Sequence, residues 1–186
     1  PRDAIRMGVG MVHQHFVLVG EFSVLENIVV GTHESGWQLN LADARKRVET
    51  LCAEYDIDLD LEARVSDLAV GQQQWVEILK ALYLDAKVLI LDEPSAVLTP
   101  EESLRLFRII DHMKELGLSI LLISHKMVEV MQADRVTVLR KGKVVDTVSP
   151  ANVSPTELTR MMVGRDVELR MVRDRSGDAN RTFETI

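Results

Sequence analysis

Two adjacent carboxylates, Asp92 and Glu93, end the apolar run Val88-Leu89-Ile90-Leu91 and are followed at once by Pro94. A run that is apolar on both faces fits a buried central strand of a helix-covered parallel sheet. Ligands of such sheets bind beyond the carboxyl ends of the strands, where these two acids would emerge. Successive strand residues point to opposite sides, so the acids cannot easily share one task. One can hold a hard cation such as Mg2+ through oxygen while its neighbour orients or deprotonates an attacking water, which is metal-assisted phosphate chemistry. The dipeptide by itself reads equally well as two solvated acids at a strand end.

Other residues stand in order around the pair. Asp67-Leu68-Ala69-Val70-Gly71-Gln72-Gln73-Gln74 places a small, Gly-containing turn before a helix. Free backbone N–H groups and the helix dipole favour an anion there; the plainer reading is that Gly71 permits a tight turn and the glutamines are helix surface. His125 ends a second apolar strand and would share the sheet edge with Asp92 and Glu93. Gln14 ends a first strand, where an amide can ligate Mg2+ or position water without adding charge. His13 and His15 flank it, and alternate strand residues share a face that could seat a transition metal. No third ligand cluster accompanies them, so packing and polar contacts are the reading for both.

The elements that must position these groups alternate as in an α/β layer with a helical insert. Residues 8–12 read as a short strand, followed by a loop and an amphipathic, partly helical stretch over 22–30. Asn40 caps a helix over 42–55 with Val48, Leu51, Cys52 and Tyr55 on one face, and the acidic turn 56–60 ends it. A second helix runs from about 73 to 84, with Val76, Leu79 and Tyr83 at core spacing. Thr99 as cap, Pro100 in the first turn and Glu102 at the reciprocal position open a helix. Leu104, Phe107, Ile110 and Met113 form its buried stripe and Gly117 closes it. A second buried strand over 119–123, a short helix, a hairpin of 135–139 with 143–148 around Lys141-Gly142, and a last helix opened by Ser154-Pro155-Thr156-Glu157 follow. The tail 165–186 is polar and without periodicity, and reads as a linker or frayed end.

Composition bounds the class. The 186 residues, 46% apolar, suffice for one domain with a real core. A formal charge of −7 argues against a broad nucleic-acid surface. The single Cys52 cannot close an internal disulfide, and helix packing is its reading. Apolar runs such as 120–123 fall far short of the roughly 20 residues of a membrane helix, so membrane association would run through a partner. The chain opens at Pro1 without a signal sequence and reads as cut from something longer.

Taken in order, these residues resemble the ATP-binding subunit of an ABC transporter, a resemblance that covers the chain to about Gly164. The stretch 8–16 looks like that family's Q-loop, with Gln14 as its glutamine. Leu68, Ala69, Val70, Gly71 and Gln72 look like the signature motif; residues 89–93 like Walker B with the catalytic glutamate; Ser95, Ala96, Val97, Leu98 and Thr99 like the D-loop; and Ser124-His125 like the switch histidine. Wording such as G-M-V-H-Q-H-F, V-G-Q-Q-Q-W-V-E-I-L-K-A-L and D-E-P-S-A-V-L-T-P most resembles the sugar and nucleoside importer branch, whose subunits often carry two cassettes in one chain.

The resemblance implies a P-loop NTPase-like α/β cassette core over residues 1–164, incomplete here, with an α-helical subdomain over about 22–84. Its implied cofactors are ATP and Mg2+, the metal held by Asp92 and Gln14. Glu93 would polarise water, His125 would steady the γ-phosphate, and the signature residues would close over a nucleotide held by a second cassette. Implied partners are that second cassette, as a dimer or in tandem beyond the tail, transmembrane permease subunits and, indirectly, a substrate-binding protein, with no nucleic acid. The place of work would be the cytoplasmic face of the cell membrane.

The departures carry expectations too. No G-x-x-x-x-G-K-[ST] loop occurs: Gly142-Lys143 is followed by Val144. Truncation ahead of Gln14 explains the missing Walker A lysine better than degeneration, and the fragment alone is expected to bind ATP weakly and hydrolyse none. Ala69 and Val70 stand where Ser and Gly are usual, and Thr99 where Asp is common. Two rival functions follow: a soluble ABC-type ATPase acting on ribosomes or nucleic acid, which would need basic linkers or a long coiled-coil insertion, and a catalytically silent half of an asymmetric transporter.

Overall fold

The computed structural model describes residues 2–30 and 40–164, and the tail read above as a linker, 165–186, lies outside the described residues. Two compact units divide the chain, Pro1–His125 and Lys126–Ile186.

The first unit is built on a three-stranded parallel sheet ordered β1-β2-β3, with β1 at Val9–Val12, β2 at Val88–Asp92 and β3 at Ser119–Ile123. Helix α1, Arg2–Arg6, precedes β1; the sequence pattern did not anticipate it. Between β1 and β2 lie α2 at Val24–Val29, α3 at Leu41–Glu54 and α4 at Val70–Tyr83, and α5 at Pro100–Glu115 makes the crossover to β3. The register aligns Gly10 with Leu89 and Ile120, and Val12 with Leu91 and Leu122. Val12, Leu89 and Leu91 are fully buried and join one core with Val76, Ile78 and Leu79 of α4 and Leu106 and Met113 of α5. Each such side chain contributes roughly 1.5–3 kcal/mol on burial.

Several sequence expectations are corrected here. β2 is central, yet its burial alternates, because the face carrying Met11, Leu121 and Ile123 is open, with Leu121 54% and Ile123 46% exposed. β3 is therefore half-covered rather than buried. Helix α4 begins three residues earlier than expected, at Val70, because extended Ala69 serves as its N-cap and its carbonyl accepts from the amides of Gln72 and Gln73. On α5 the buried stripe is Leu106, Ile109, Ile110 and Met113, while Leu104 is exposed. The observed set follows i, i+3, i+4, i+7; Ile110 and Met113 are buried as expected and Phe107 packs half-buried against the core, and the stripe fails only at Leu104.

Capping came out as the residues dictate. Asn40 accepts from the Ala42 amide, and Thr99 and Glu102 make a reciprocal capping box. In the second unit α6, Met127–Val130, precedes the antiparallel hairpin of β4, Val136–Arg140, and β5, Lys143–Val148. Lys141 and Gly142 both take positive φ, 50° and 75°, as a two-residue hairpin turn requires. Helix α7, Pro155–Val163, opens with the Ser154/Glu157 box, and Leu158 packs with Val130 and Val138 in a small core.

Candidate functional site

All three strands of the parallel sheet run out at one edge, and that edge gathers the residues with chemistry. Val12 pairs with Leu91, so Gln14 leaves β1 beside the end of β2; Asp92 pairs with Ile123, so Ser124 and His125 leave β3 beside Glu93. Asp92, the last residue of β2, is half-buried. Glu93 adopts φ of 47°, a left-handed conformation that a residue other than glycine holds only under outside constraint. The constraint is visible on both sides of it. Its N–H donates to the Ile123 carbonyl at 2.9 Å, and its own carbonyl accepts from Ala96 at 3.0 Å. Pro94 and Ser95 in that turn are buried.

The Glu93 side chain meets His125. His125 Nδ1 donates to Glu93 Oε1 at 2.7 Å, and the two side chains are 67% and 25% exposed respectively. An ionised carboxylate only accepts, so the pairing requires an imidazole proton on Nδ1. A carboxylate so oriented, next to Asp92, can polarise a water held at the edge.

Gln14 is exposed in the bend after β1 and lines a cleft of about 350 Å³ together with His15, Phe16, Ser66, Gln73 and Val97. His13 and His15 are also exposed, so the packing expected for them is not found. Among the described residues no group of three or more His, Cys, Asp and Glu side chains gathers to hold a metal. Mg2+ needs no such cage: one or two oxygen ligands suffice when waters and phosphates complete the octahedron, and Asp92 and Gln14 are oxygen donors at one sheet edge.

The stretch 68–72 leads through the N-cap Ala69 into the first turn of α4. The Ala69 methyl cannot accept a hydrogen bond, so the cap is one-sided: Ala69 N–H donates to Gln72 Oε1 at 3.1 Å, and only the Ala69 carbonyl, not its side chain, accepts from the helix amides. Gln73 Nε2 donates to the Leu68 carbonyl at 3.1 Å. Gly71 has ordinary helical backbone, so the tight turn read for it is not found; a Cβ there would meet the end of the Glu102 side chain, which would have to shift to admit it. Thr99, the last D-loop position, is occupied as the N-cap of α5.

Two residues that sequence reasoning passed over belong to this region. Glu77 lies within Val76-Glu77-Ile78-Leu79 and is only 8% exposed, and its Oε1 accepts from the Val17 amide at 2.7 Å. Asn27, 2% exposed on α2, accepts from the Val19 amide at 2.8 Å and donates to the Val19 carbonyl at 3.0 Å. The signal that could have found them is a polar side chain inside an apolar helical stretch. Cys52 is half-buried, and burial, then Asp58 and Glu49, push its thiol above its ordinary value, in keeping with the packing role read for it.

Comparison with known proteins bears on the family and the fold. Residues 1–96 match the ABC transporter family profile. A glucose import ATP-binding protein of Haloferax volcanii is 44% identical over 94% of this chain and 37% of its own length. A nucleoside import ATP-binding protein of Lactococcus lactis subsp. cremoris is 47% identical over 90% of this chain and 33% of its own. A ribose import ATP-binding protein of Hahella chejuensis is 42% identical over 89% and 34%. The chain thus spans about a third of the length of these curated relatives. Among solved structures, a nucleotide-free ATP-binding cassette from an ABC transporter superposes with a TM-score of 0.69 at 20% identity, covering 89% of this chain and 68% of that one. A dimeric cassette in a post-hydrolysis state with ADP and Pi gives 0.65 at 21% identity, covering 76% and 62%. With its sheet edge, its motif order and its profile match over more than half its residues, this chain belongs to the ABC transporter ATP-binding family and has the α/β fold of the ATP-binding cassette.

Proposed function

We propose that this chain is part of the ATP-binding and hydrolysing subunit that energises an ABC importer for sugars or nucleosides. The observation that carries the reading is the Glu93–His125 pair at 2.7 Å, set beside Asp92 at the outlet of the central strand. ATP with Mg2+ supplies the phosphoryl-transfer chemistry when bound. Asp92 and Gln14 would hold the metal through oxygen. Glu93 accepts a hydrogen bond from the attacking water and draws its proton away, which raises the electron density on the water oxygen; His125 donates through Nδ1 to the Glu93 carboxylate, and in its doubly protonated form it would donate through Nε2 to the γ-phosphate. Leu68, Ala69, Val70, Gly71 and Gln72 would face a nucleotide held on a second cassette, and residues 95–99 would contact that cassette as well.

Residues 1–164 serve in this reading as part of one cassette, residues 22–84 as its helical subdomain, and 165–186 as the link toward another cassette. Gln14 passes closure to transmembrane permease subunits, so the protein works peripherally at the cytoplasmic face of the membrane; a substrate-binding protein joins indirectly, and nucleic acid has no part. No described helix is long and apolar enough to cross a membrane. The 186 residues contain no phosphate-cradling loop and on their own hold ATP weakly and hydrolyse none. One observation favours a second reading, a silent half of an asymmetric transporter: Ala69 leaves the α4 cap without its side-chain acceptor.

Glu93→Gln in the full-length protein separates the two. Steady-state ATP turnover should fall by about two to four orders of magnitude while nucleotide binding persists, the range expected when a positioned base is removed. Unchanged turnover would favour the silent half.

A further inference from the structure

The loop after Gln14 is held in an unusual way. Val17 and Val19 turn their side chains outward, 67% and 45% exposed, so apolar packing of these two residues does not anchor it. Their backbone amides turn inward instead, and each meets a buried side chain. The Val17 amide donates to Glu77 Oε1 at 2.7 Å and the Val19 amide to Asn27 Oδ1 at 2.8 Å. A third tie follows where the Gly20 carbonyl accepts from Ser66 N–H at 3.0 Å, two residues ahead of Leu68.

Glu77 sits on α4, the helix whose first turn carries the stretch 68–72, and Gln73 lies one turn before it on the same face. Gln73 lines the cleft that Gln14 also lines. A carboxylate buried to this degree is costly unless it is bonded, so its retention in an apolar stretch calls for a task. From this arrangement we infer that Glu77 is a positioning residue: by holding the Val17 amide it locks the Gln14 loop to α4, so that the loop and the helix turn 68–72 move as one body. The inference rests on the importer reading for its consequence, the coupling of loop displacement to ATP turnover, but the latch itself is a property of the loop.

The test uses the full-length protein with three variants. Glu77→Met keeps the volume and removes the acceptor; Glu77→Gln keeps an acceptor oxygen; Glu77→Asp draws the carboxylate back by one methylene. Amide hydrogen exchange at Val17 should accelerate about tenfold in Glu77→Met and stay near wild type in Glu77→Gln, the size expected for losing one buried hydrogen bond. In proteoliposomes with the permease subunits, substrate taken up per ATP hydrolysed should fall by a similar factor in Glu77→Met and recover in Glu77→Gln, a split that a merely stabilising residue would not produce. If Glu77→Met does not fold, Glu77→Asp is read in the same way. Unchanged Val17 exchange, an unchanged uptake ratio despite faster exchange, or equal loss in Glu77→Gln and Glu77→Met would each overturn the latch. Absence of ATP-driven uptake in the wild type would instead overturn the importer reading, leaving the exchange result to decide the latch.

Discussion

At the residue scale the edge depends on a few side chains whose neighbours force them into place. Glu93 holds φ of 47° because its amide is bonded to Ile123 and its carbonyl to Ala96, and this fixes where its carboxylate meets His125. Ala69 is the weak spot: it caps α4 with a backbone ready for a side-chain acceptor, φ −60° and ψ 153°, but with only a methyl group. Ala69→Ser should therefore raise the stability of the chain by about 1 kcal/mol, read as a higher urea midpoint at constant slope. No gain would mean that the Ala69 carbonyl, which accepts from the Gln72 amide at 2.9 Å, already satisfies the first turn. Asp92, Glu93, Gln14 and His125 were legible in the sequence because strand ends can be recognised from apolar runs. Glu77 was not, since an acid in a helix reads as surface until the Val17 amide is seen against it.

At the element scale, capping boxes were readable in full, and helix phase was readable on α4, where Val76, Leu79 and Tyr83 are all buried, but not throughout α5. Thr99/Glu102 and Ser154/Glu157 both formed, because local backbone geometry decides them. The stripe on α5 failed at one position, Leu104, which only the packing partners could exclude. The Ser154 box carries a pH dependence. The Ser154 backbone N–H, then its hydroxyl, hold the Glu157 carboxyl below its ordinary value of 4.5. A depressed carboxyl stabilises the fold at pH above the unfolded value, and that contribution is lost as pH falls through the folded value. The start of α7 should thus loosen on acidification below 4.5, seen as faster exchange of its amides. Glu157→Gln, which retains a cap acceptor without a charge, should flatten that dependence; an unaltered profile would assign it to another group.

At the scale of the whole molecule, the first unit carries the edge and the core beneath it, and one face of its sheet remains open at Met11, Leu121 and Ile123. Titration of the 186-residue chain with Mg-ATP in a calorimeter should show no binding tighter than about millimolar, since phosphate affinity comes from a loop of backbone amides and a lysine that these residues lack. Micromolar affinity would contradict this. The sequence by itself determined the strand ends, the caps and the order of motifs, because each rests on contacts within a few residues or on a run of apolar side chains. Only the tertiary structure decided which acid bonds which histidine, which side chain lies against Gly71 and what buried Glu77 holds. Those contacts join residues 32, 31 and 60 positions apart in the chain, and no local pattern encodes which distant group will fill the space beside a residue.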